Sequence, residues 1–417
     1  MKYFVYLQKI SIIKDMRVVL RQNYIDQIEK SLGKDFIIVL VGQRRVGKSY
    51  VLKMISGLKE KDANNNIIFI DKEKEQFDFI KTYQDLNEYI KAHYVKGKMN
   101  YILVDEIQDI EGFERTVRSY CTEPDAEVII TGSNAMMLSS DLSTLIGGRY
   151  KEIYIQSLSY KEFLQFHELP DSDDTLAKYI QFGGLPGLAK IGLDEDDVRE
   201  YQKDIYNTVL LKDVILRNKI RNAVFLENLT RFLADNVGKI ISANSISNFM
   251  KSQGRPTTST TIMEYIKCLA DAYILHKVHR YDIHGKKLFE TNDKFYFEDH
   301  GIRNAIVGGN RERDIEKVIE NIVYQQLVRL GYGVTVGQLK AGEIDFVCEG
   351  KGGKRIYVQA SYLIANEETR AREFGNLASI KDNYPKYVIS MTPLVERQDA
   401  EGIVHLGLRA FLTGSEL

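Results

Sequence analysis

Along the first 155 residues, short continuous apolar runs alternate with stretches whose apolar positions recur every three or four residues. The runs at 36–41, 67–70, 101–104 and 128–131 are four to six residues long and rich in β-branched side chains. Runs without polar alternation fit strands buried on both faces, as in a parallel sheet, because a half-exposed strand alternates with period two. With helical stretches between them, the pattern predicts a βαβ rhythm and an α/β fold.

Beyond residue 156 the rhythm changes. Residues 158–165 and 194–218 read as helices, separated by the turn Gly183-Gly184-Leu185-Pro186-Gly187. Residues 242–252 and 259–273 read as two further helices around the turn at Gly254 to Pro256, followed by apolar segments at 275–281 and 286–290 with a hairpin turn at His284-Gly285. A long helix is expected over 311–330, stopped by Gly331, whose missing Cβ suits a helix C-terminus. Strands at 344–347, 356–359 and 387–390 then predict a second small α/β unit.

Chemistry enters at Gly42-Gln43-Arg44-Arg45-Val46-Gly47-Lys48-Ser49-Tyr50, which satisfies G-x-x-x-x-G-K-[ST]. A chance match in a chain of this length is on the order of one in a hundred from average composition. The motif also sits between an apolar strand and a helix whose face is marked by Val51, Met54, Ile55 and Leu58. Its glycines let successive amides turn toward phosphate oxygens, and the helix start adds its positive end. Lys48 is expected to reach the β- and γ-phosphates, and Ser49 to hold Mg²⁺. The run 101–104 ends in Asp105-Glu106, which supplies a second Mg²⁺ anchor in Asp105 and a general base for water in Glu106. Val128 to Thr131 leads into Gly132-Ser133-Asn134, where Ser133, with Asn134 as the alternative, is the candidate to orient that water. Arg149 is the candidate to neutralise transition-state charge, in its own subunit or a neighbour's.

These residues carry a resemblance. The loop at 42–49, Val104-Asp105-Glu106-Ile107-Gln108, Thr131-Gly132-Ser133-Asn134, Gly148-Arg149 and Leu158-Ser159-Tyr160-Lys161-Glu162-Phe163, with the Gly183-Gly184-Leu185-Pro186 turn, resemble prokaryotic AAA+ ATPases with a C-terminal domain of unknown function. The resemblance runs from about residue 17 to 417. It implies an AAA+ core (1–155), a helical lid (156–235), a winged helix (236–308) and a restriction-endonuclease-like α/β domain (309–417). It also implies ATP rather than GTP, and no Asn-Lys-x-Asp guanine signature is present.

In the expected winged helix, eight Lys/Arg face four Asp/Glu between 239 and 290. Lys251, Arg255, Lys286 and Lys287 are candidates to contact the phosphates of double-stranded DNA. A winged helix packed on the ATPase or on a protein partner is the alternative. In the last unit, Glu320, Asp345, Gln359 and Ser361 match the layout of a restriction-like metal site. Gln359 stands where a second acid belongs and Ser361 where a water-positioning lysine belongs, so DNA cleavage is not expected. The competing readings are therefore an ATP-driven switch or motor, an ATP-regulated nuclease, and a slow ATP-dependent scaffold.

Composition narrows this further. A net charge of −1 argues against coating nucleic acid by bulk charge and leaves room for a local basic patch. Cys121, Cys268 and Cys348 form no CxxC pair, hence neither a disulfide framework nor a zinc site is expected. His276 and His279 lack a third ligand at metal spacing. No apolar stretch approaches a membrane span of about 20 residues, and the reading is a cytoplasmic protein, monomeric or oligomeric.

Overall fold

The computed structural model describes residues 19–133, 148–252, 254, 257–289, 292–308, 314–340, 342–393, 395, 397–400, 402–414 and 417. Asn134, Gly147, Arg255, Pro256 and Glu290 lie outside them.

After helix α1 (Gln22–Glu29), the first sheet comprises β1 (Ile37–Val41), β2 (Asn65–Asp71), β3 (Met99–Asp105), β4 (Ala126–Gly132) and β5 (Tyr150–Tyr154). Its order is β2-β3-β4-β1-β5, and every pairing is parallel. Helices α2 (Lys48–Lys59), α3 (Tyr83–His93) and α4 (Glu114–Tyr120) connect the first four strands. Alternate residues serve opposite cores. Ile37, Val39 and Val41 join one apolar cluster with Ile102, Val104 and Ile130, while Ile38 and Leu40 join another with Leu103 and Val51. That two-sided burial, about 1.5–3 kcal/mol for each large aliphatic side chain, explains the uninterrupted apolar runs.

Helices α5 (Tyr160–His167), α6 (Asp173–Phe182), α7 (Leu188–Ile191) and α8 (Glu195–Thr208) follow. The last continues directly into a π-helical stretch, Val209–Leu216. Ser159 caps α5 and Glu162 returns a bond to the Ser159 amide, a reciprocal capping pair that fixes where the helix begins. Next come α9 (Ala223–Asp235), α10 (Ala243–Ser252) and α11 (Ser259–Asp271).

The strands after α11 differ from the expected wing. The apolar segment 275–281 breaks at His279 into β6 (Leu275–Val278) and β7 (Arg280–Asp282). β6 pairs antiparallel with β9 (Lys294–Phe297), whose four residues are all buried, rather than with 286–290. β7 forms the expected hairpin with β8 (Lys287–Leu288), but that hairpin is attached to the C-terminal sheet by parallel pairing of β7 with β10 (Gly333–Gln338). Burial decides the outcome: the buried side chains of β9 offer β6 more apolar contact than the exposed pair of β8.

The remaining elements are α12 (His300–Val307), α13 (Ile315–Arg329), β11 (Glu343–Glu349), β12 (Arg355–Ser361), α14 (Glu367–Ala378), β13 (Lys386–Ser390), β14 (Arg397–Ala400), β15 (Ile403–Gly407) and α15 (Leu408–Thr413). The second sheet runs β14-β15-β13-β12-β11-β10-β7-β8. Phe346, Val358 and Ile389 face the cluster that includes α13, whereas Ile344, Val347 and Tyr357 face Phe374 and Leu377 of α14.

A polar seam joins this part to the first sheet. Glu298 accepts from the Ser157 amide at 2.9 Å and the Tyr154 hydroxyl at 2.5 Å. Asp299 accepts from the Gly184 amide at 2.8 Å, and Arg329 donates to the Ser157 carbonyl at 2.9 Å. Ser157, Glu298 and Asp299 are buried and Tyr154 and Arg329 half-buried, so these bonds also remove the cost of unsatisfied polar groups.

Candidate nucleotide site

The loop between β1 and α2 has the backbone that its glycines predict. Gly42, Arg45 and Gly47 adopt φ of 143°, 71° and 100°. A Cβ on Gly42 would meet the Ile155 carbonyl oxygen at 2.2 Å, so no larger residue fits that close approach. The Val46 side chain is buried beneath the loop, and its carbonyl accepts from Arg21 Nη1 at 2.9 Å. Arg21 also pairs with Glu162 at 2.7 Å, which ties the loop to α1 and α5.

Lys48 is buried, and its Nζ donates to the Gly42 and Gln43 carbonyls at 2.9 and 3.0 Å. Burial pulls its pKa down, against the opposing charge of Glu106. Gln43 is buried too, and its Oε1 has no hydrogen-bond partner among the described residues. Arg45 is exposed and Tyr50 half-buried beside this loop. A concave run of left-handed backbone, a helix start and a buried ammonium held by carbonyls alone fit phosphate oxygens.

The carboxylates come from the C-terminal end of β3. The Ser49 hydroxyl lies beside Asp105 and helps to hold its pKa down, while Thr131 Oγ1 donates to Asp105 Oδ1 at 2.5 Å and accepts from the Glu106 amide at 2.9 Å. Burial raises the Asp105 pKa despite these bonds. Asp71, in register with Asp105 on the neighbouring strand, adds a second buried carboxylate. The hydroxyl of Ser49 and the carboxylate of Asp105 thus form an oxygen pair of the kind Mg²⁺ takes.

Glu106 has left-handed backbone (φ 53°), which swings its side chain off the strand line. Ser133 Oγ donates to Glu106 Oε1 and Oε2 at 2.9 and 3.1 Å, and the Gln108 amide donates to Oε2. Burial pushes the Glu106 pKa up, but Lys48, Gln108, Arg44 and Ser133 outweigh it and leave the carboxyl below its ordinary value. The structure therefore brings Lys48, Ser49, Asp105, Glu106 and Ser133 together.

Arg149 is elsewhere. It is exposed, and its carbonyl accepts from the Ile37 amide at the start of β1. The P-loop leaves the other end of that five-residue strand, about 15 Å away at roughly 3.3 Å per residue. Arg44, by contrast, turns toward the helical region: its guanidinium pairs with Asp213 at 2.9 Å and with Glu73 at 3.6 Å. Asp213 went unremarked in the sequence, where only the distant π-helical stretch that buries it could have drawn attention.

The first sheet, the loop and the two strand-end acids define a P-loop NTPase of the AAA+ type. Residues 34–164 match the AAA domain family, and residues 173–313 match a domain of unknown function (DUF8612). The chain belongs to the same family as an uncharacterized protein of Haemophilus influenzae, with 34% identity over 93% of this chain and 96% of that one. Uncharacterized protein MJ1544 of Methanocaldococcus jannaschii is 28% identical over 91% of this chain and 85% of that one. Among solved structures, a Walker-type ATPase of Pyrococcus abyssi is similar at a TM-score of 0.47 and 13% identity, covering 69% of this chain and 96% of that chain.

Cys121 and Cys348 are buried, Cys268 is partly so, and all three are free. Among the described residues, no helix is long and apolar enough to cross a membrane.

Proposed function

We propose that the protein binds and hydrolyses ATP with Mg²⁺ and transmits nucleotide occupancy from the P-loop to the helical region through Arg44 and Asp213. The observation that carries this reading is the convergence of Lys48, Ser49, Asp105, Glu106 and Ser133 at one end of the first sheet. Mg²⁺ held at Ser49 and Asp105 would neutralise phosphate charge. Lys48 exchanges its carbonyl partners for phosphate oxygens and so stays paired in a buried place. Glu106, kept ionised by its neighbours, accepts the proton of the attacking water, while the Ser133 hydroxyl fixes the carboxylate plane. Arg149, at the opposite end of β1, serves only a neighbouring subunit's site.

Double-stranded DNA is the partner favoured by the exposed lysines. Lys251 ends α10, and Lys286 and Lys287 occupy the tip of the β7–β8 hairpin, all three in solvent. The test is steady-state ATP hydrolysis by the pure protein with and without double-stranded DNA, with Lys48→Ala as control. Stimulation that vanishes in Lys48→Ala supports a switch acting on DNA. A Lys48-dependent rate indifferent to DNA redirects the reading to a protein partner.

A further inference from the structure

Three acids of the C-terminal half converge on one spot, and a cation of the chain itself is already there. Glu320 comes from α13, and Glu343 and Asp345 come from the start of β11. Lys294 Nζ lies 2.8 Å from Glu320 Oε1 and 3.3 Å from Asp345 Oδ1, and pairs with Glu343 as well. The Lys294 side chain is 2% exposed. It reaches the acids from β9, the strand that pairs with β6 in place of the expected wing.

The surroundings close this site around the ammonium. Tyr296, two residues along β9, donates its hydroxyl to Glu320 Oε1 at 2.6 Å. The Ala360 amide donates to Asp345 Oδ2 at 3.0 Å, which uses the second oxygen of that carboxylate. Gln359 Oε1 accepts from the Asp345 amide at 3.3 Å, and so is spent on backbone. Gly238 packs over Glu320: a Cβ there would meet Oε2 at 2.5 Å.

A restriction-like fold implies a divalent cation at these acids, and the residues present do not fit one. A divalent ion bonded to carboxylates sits about 2.0–2.6 Å from their oxygens. The Lys294 ammonium is within hydrogen-bonding distance of those same oxygens, so the two cannot share the space. A buried positive charge alongside would also repel any second cation.

We propose that Lys294 is a tethered cation that takes the place of the divalent metal ion in the C-terminal sheet, making this domain metal-independent and non-cleaving. Glu320, Glu343 and Asp345 then neutralise the ammonium and pin β9 to α13 and β11. Its assignment does not depend on chemistry at the P-loop.

The test is a Mn²⁺ titration of the full chain without nucleotide, followed by the electron spin resonance of free Mn²⁺. Wild type and Asp345→Asn are expected to bind Mn²⁺ alike, because Asp345 holds no metal in either. Lys294→Met, which keeps the volume and removes the charge, should bind Mn²⁺ at least about tenfold more tightly than wild type. That gain should disappear in the Lys294→Met/Asp345→Asn double variant and be absent from Lys294→Arg. Binding by wild type that Asp345→Asn removes would overturn the proposal, and this comparison stands even if Lys294→Met fails to fold. A folded Lys294→Met chain with no gain would overturn it equally.

Discussion

Arg44 and Asp213 are 169 residues apart and form a two-pronged ion pair, Nε to Oδ2 at 2.9 Å and Nη2 to Oδ1 at 3.1 Å. One partner belongs to the phosphate loop and the other to the π-helical stretch that continues α8. Asp213 is 1% exposed, while Arg44 keeps 16% of its side chain in solvent. A π-helix costs regular hydrogen bonding and is found mainly where a function requires it. Here it places a buried carboxylate against the loop, and the proposed switch reads phosphate occupancy through that carboxylate's pairing with Arg44.

Removing Arg44 should therefore be costly. Arg44→Ala leaves Asp213 buried with the more distant Lys48 and Arg217, the latter at 3.9 Å, as cationic neighbours. The expected loss is about 2–3 kcal/mol, at the low end for a broken buried pair because Arg44 is partly solvated. Denaturant unfolding of Arg44→Ala, Asp213→Asn and the double variant checks this. The double variant should lose less than the sum of the two singles.

Ser133→Ala removes two hydroxyl contacts from Glu106 without touching Lys48. Hydrolysis should fall by roughly tenfold, in keeping with a positioning rather than a proton-transfer role. The pH profile separates this from simple structural damage. Glu106 is held below its ordinary pKa, so the wild-type rate is flat through neutral pH and falls only as pH drops through that lowered value. Without Ser133 the acid limb should move to higher pH. A limb that stays put would remove Ser133 from that role.

Acid sensitivity of the fold has a candidate in His167. Burial pushes its pKa from the ordinary 6.5 down to about 4, and its ring lies 4.3 Å from that of Phe163. The folded state holds it neutral while the unfolded chain takes up a proton below about 6.5. Its contribution is thus present above that pH and lost between there and about 4, on the order of 1 kcal/mol after allowance for its partial exposure. Thermal melts from pH 7 to 4.5 should fall less steeply for His167→Phe than for wild type.

Arg149 offers a test of assembly. Because it lies at the far end of β1 from the P-loop, Arg149→Ala and Lys48→Ala chains should each be inactive alone. Mixed together, they should recover part of the hydrolysis rate, each chain supplying what the other lacks. No recovery on mixing, with full activity of Arg149→Ala alone, would remove Arg149 from the chemistry.

The parts of this molecule that were legible in the sequence are those set by local pattern. The buried strands β1 to β4 declared themselves because both faces of the sheet are covered, and the loop at Gly42 to Ser49 because its chemistry needs fixed spacing. Asp105, Glu106 and Ser133 followed, since each ends a strand beside that loop. What stayed hidden depends on long-range pairing. Asp213 reads as an ordinary charge in a helix, and Lys294 as an ordinary lysine at a strand edge. Neither has a local signal, because their partners lie far off in the chain. The strand pairing of the expected wing was legible only in part for the same reason: the hairpin at His284-Gly285 forms, but β6 had two possible partners, and burial of β9 decided between them.

The most direct measurement is ATP binding and turnover by Glu106→Gln beside wild type and Lys48→Ala. Glutamine keeps the shape and the Ser133 contact but cannot take a proton. The account predicts ATP binding close to wild type with hydrolysis slowed by about 10²-fold or more, and loss of binding in Lys48→Ala. Unchanged turnover in Glu106→Gln, or undiminished binding in Lys48→Ala, would contradict it.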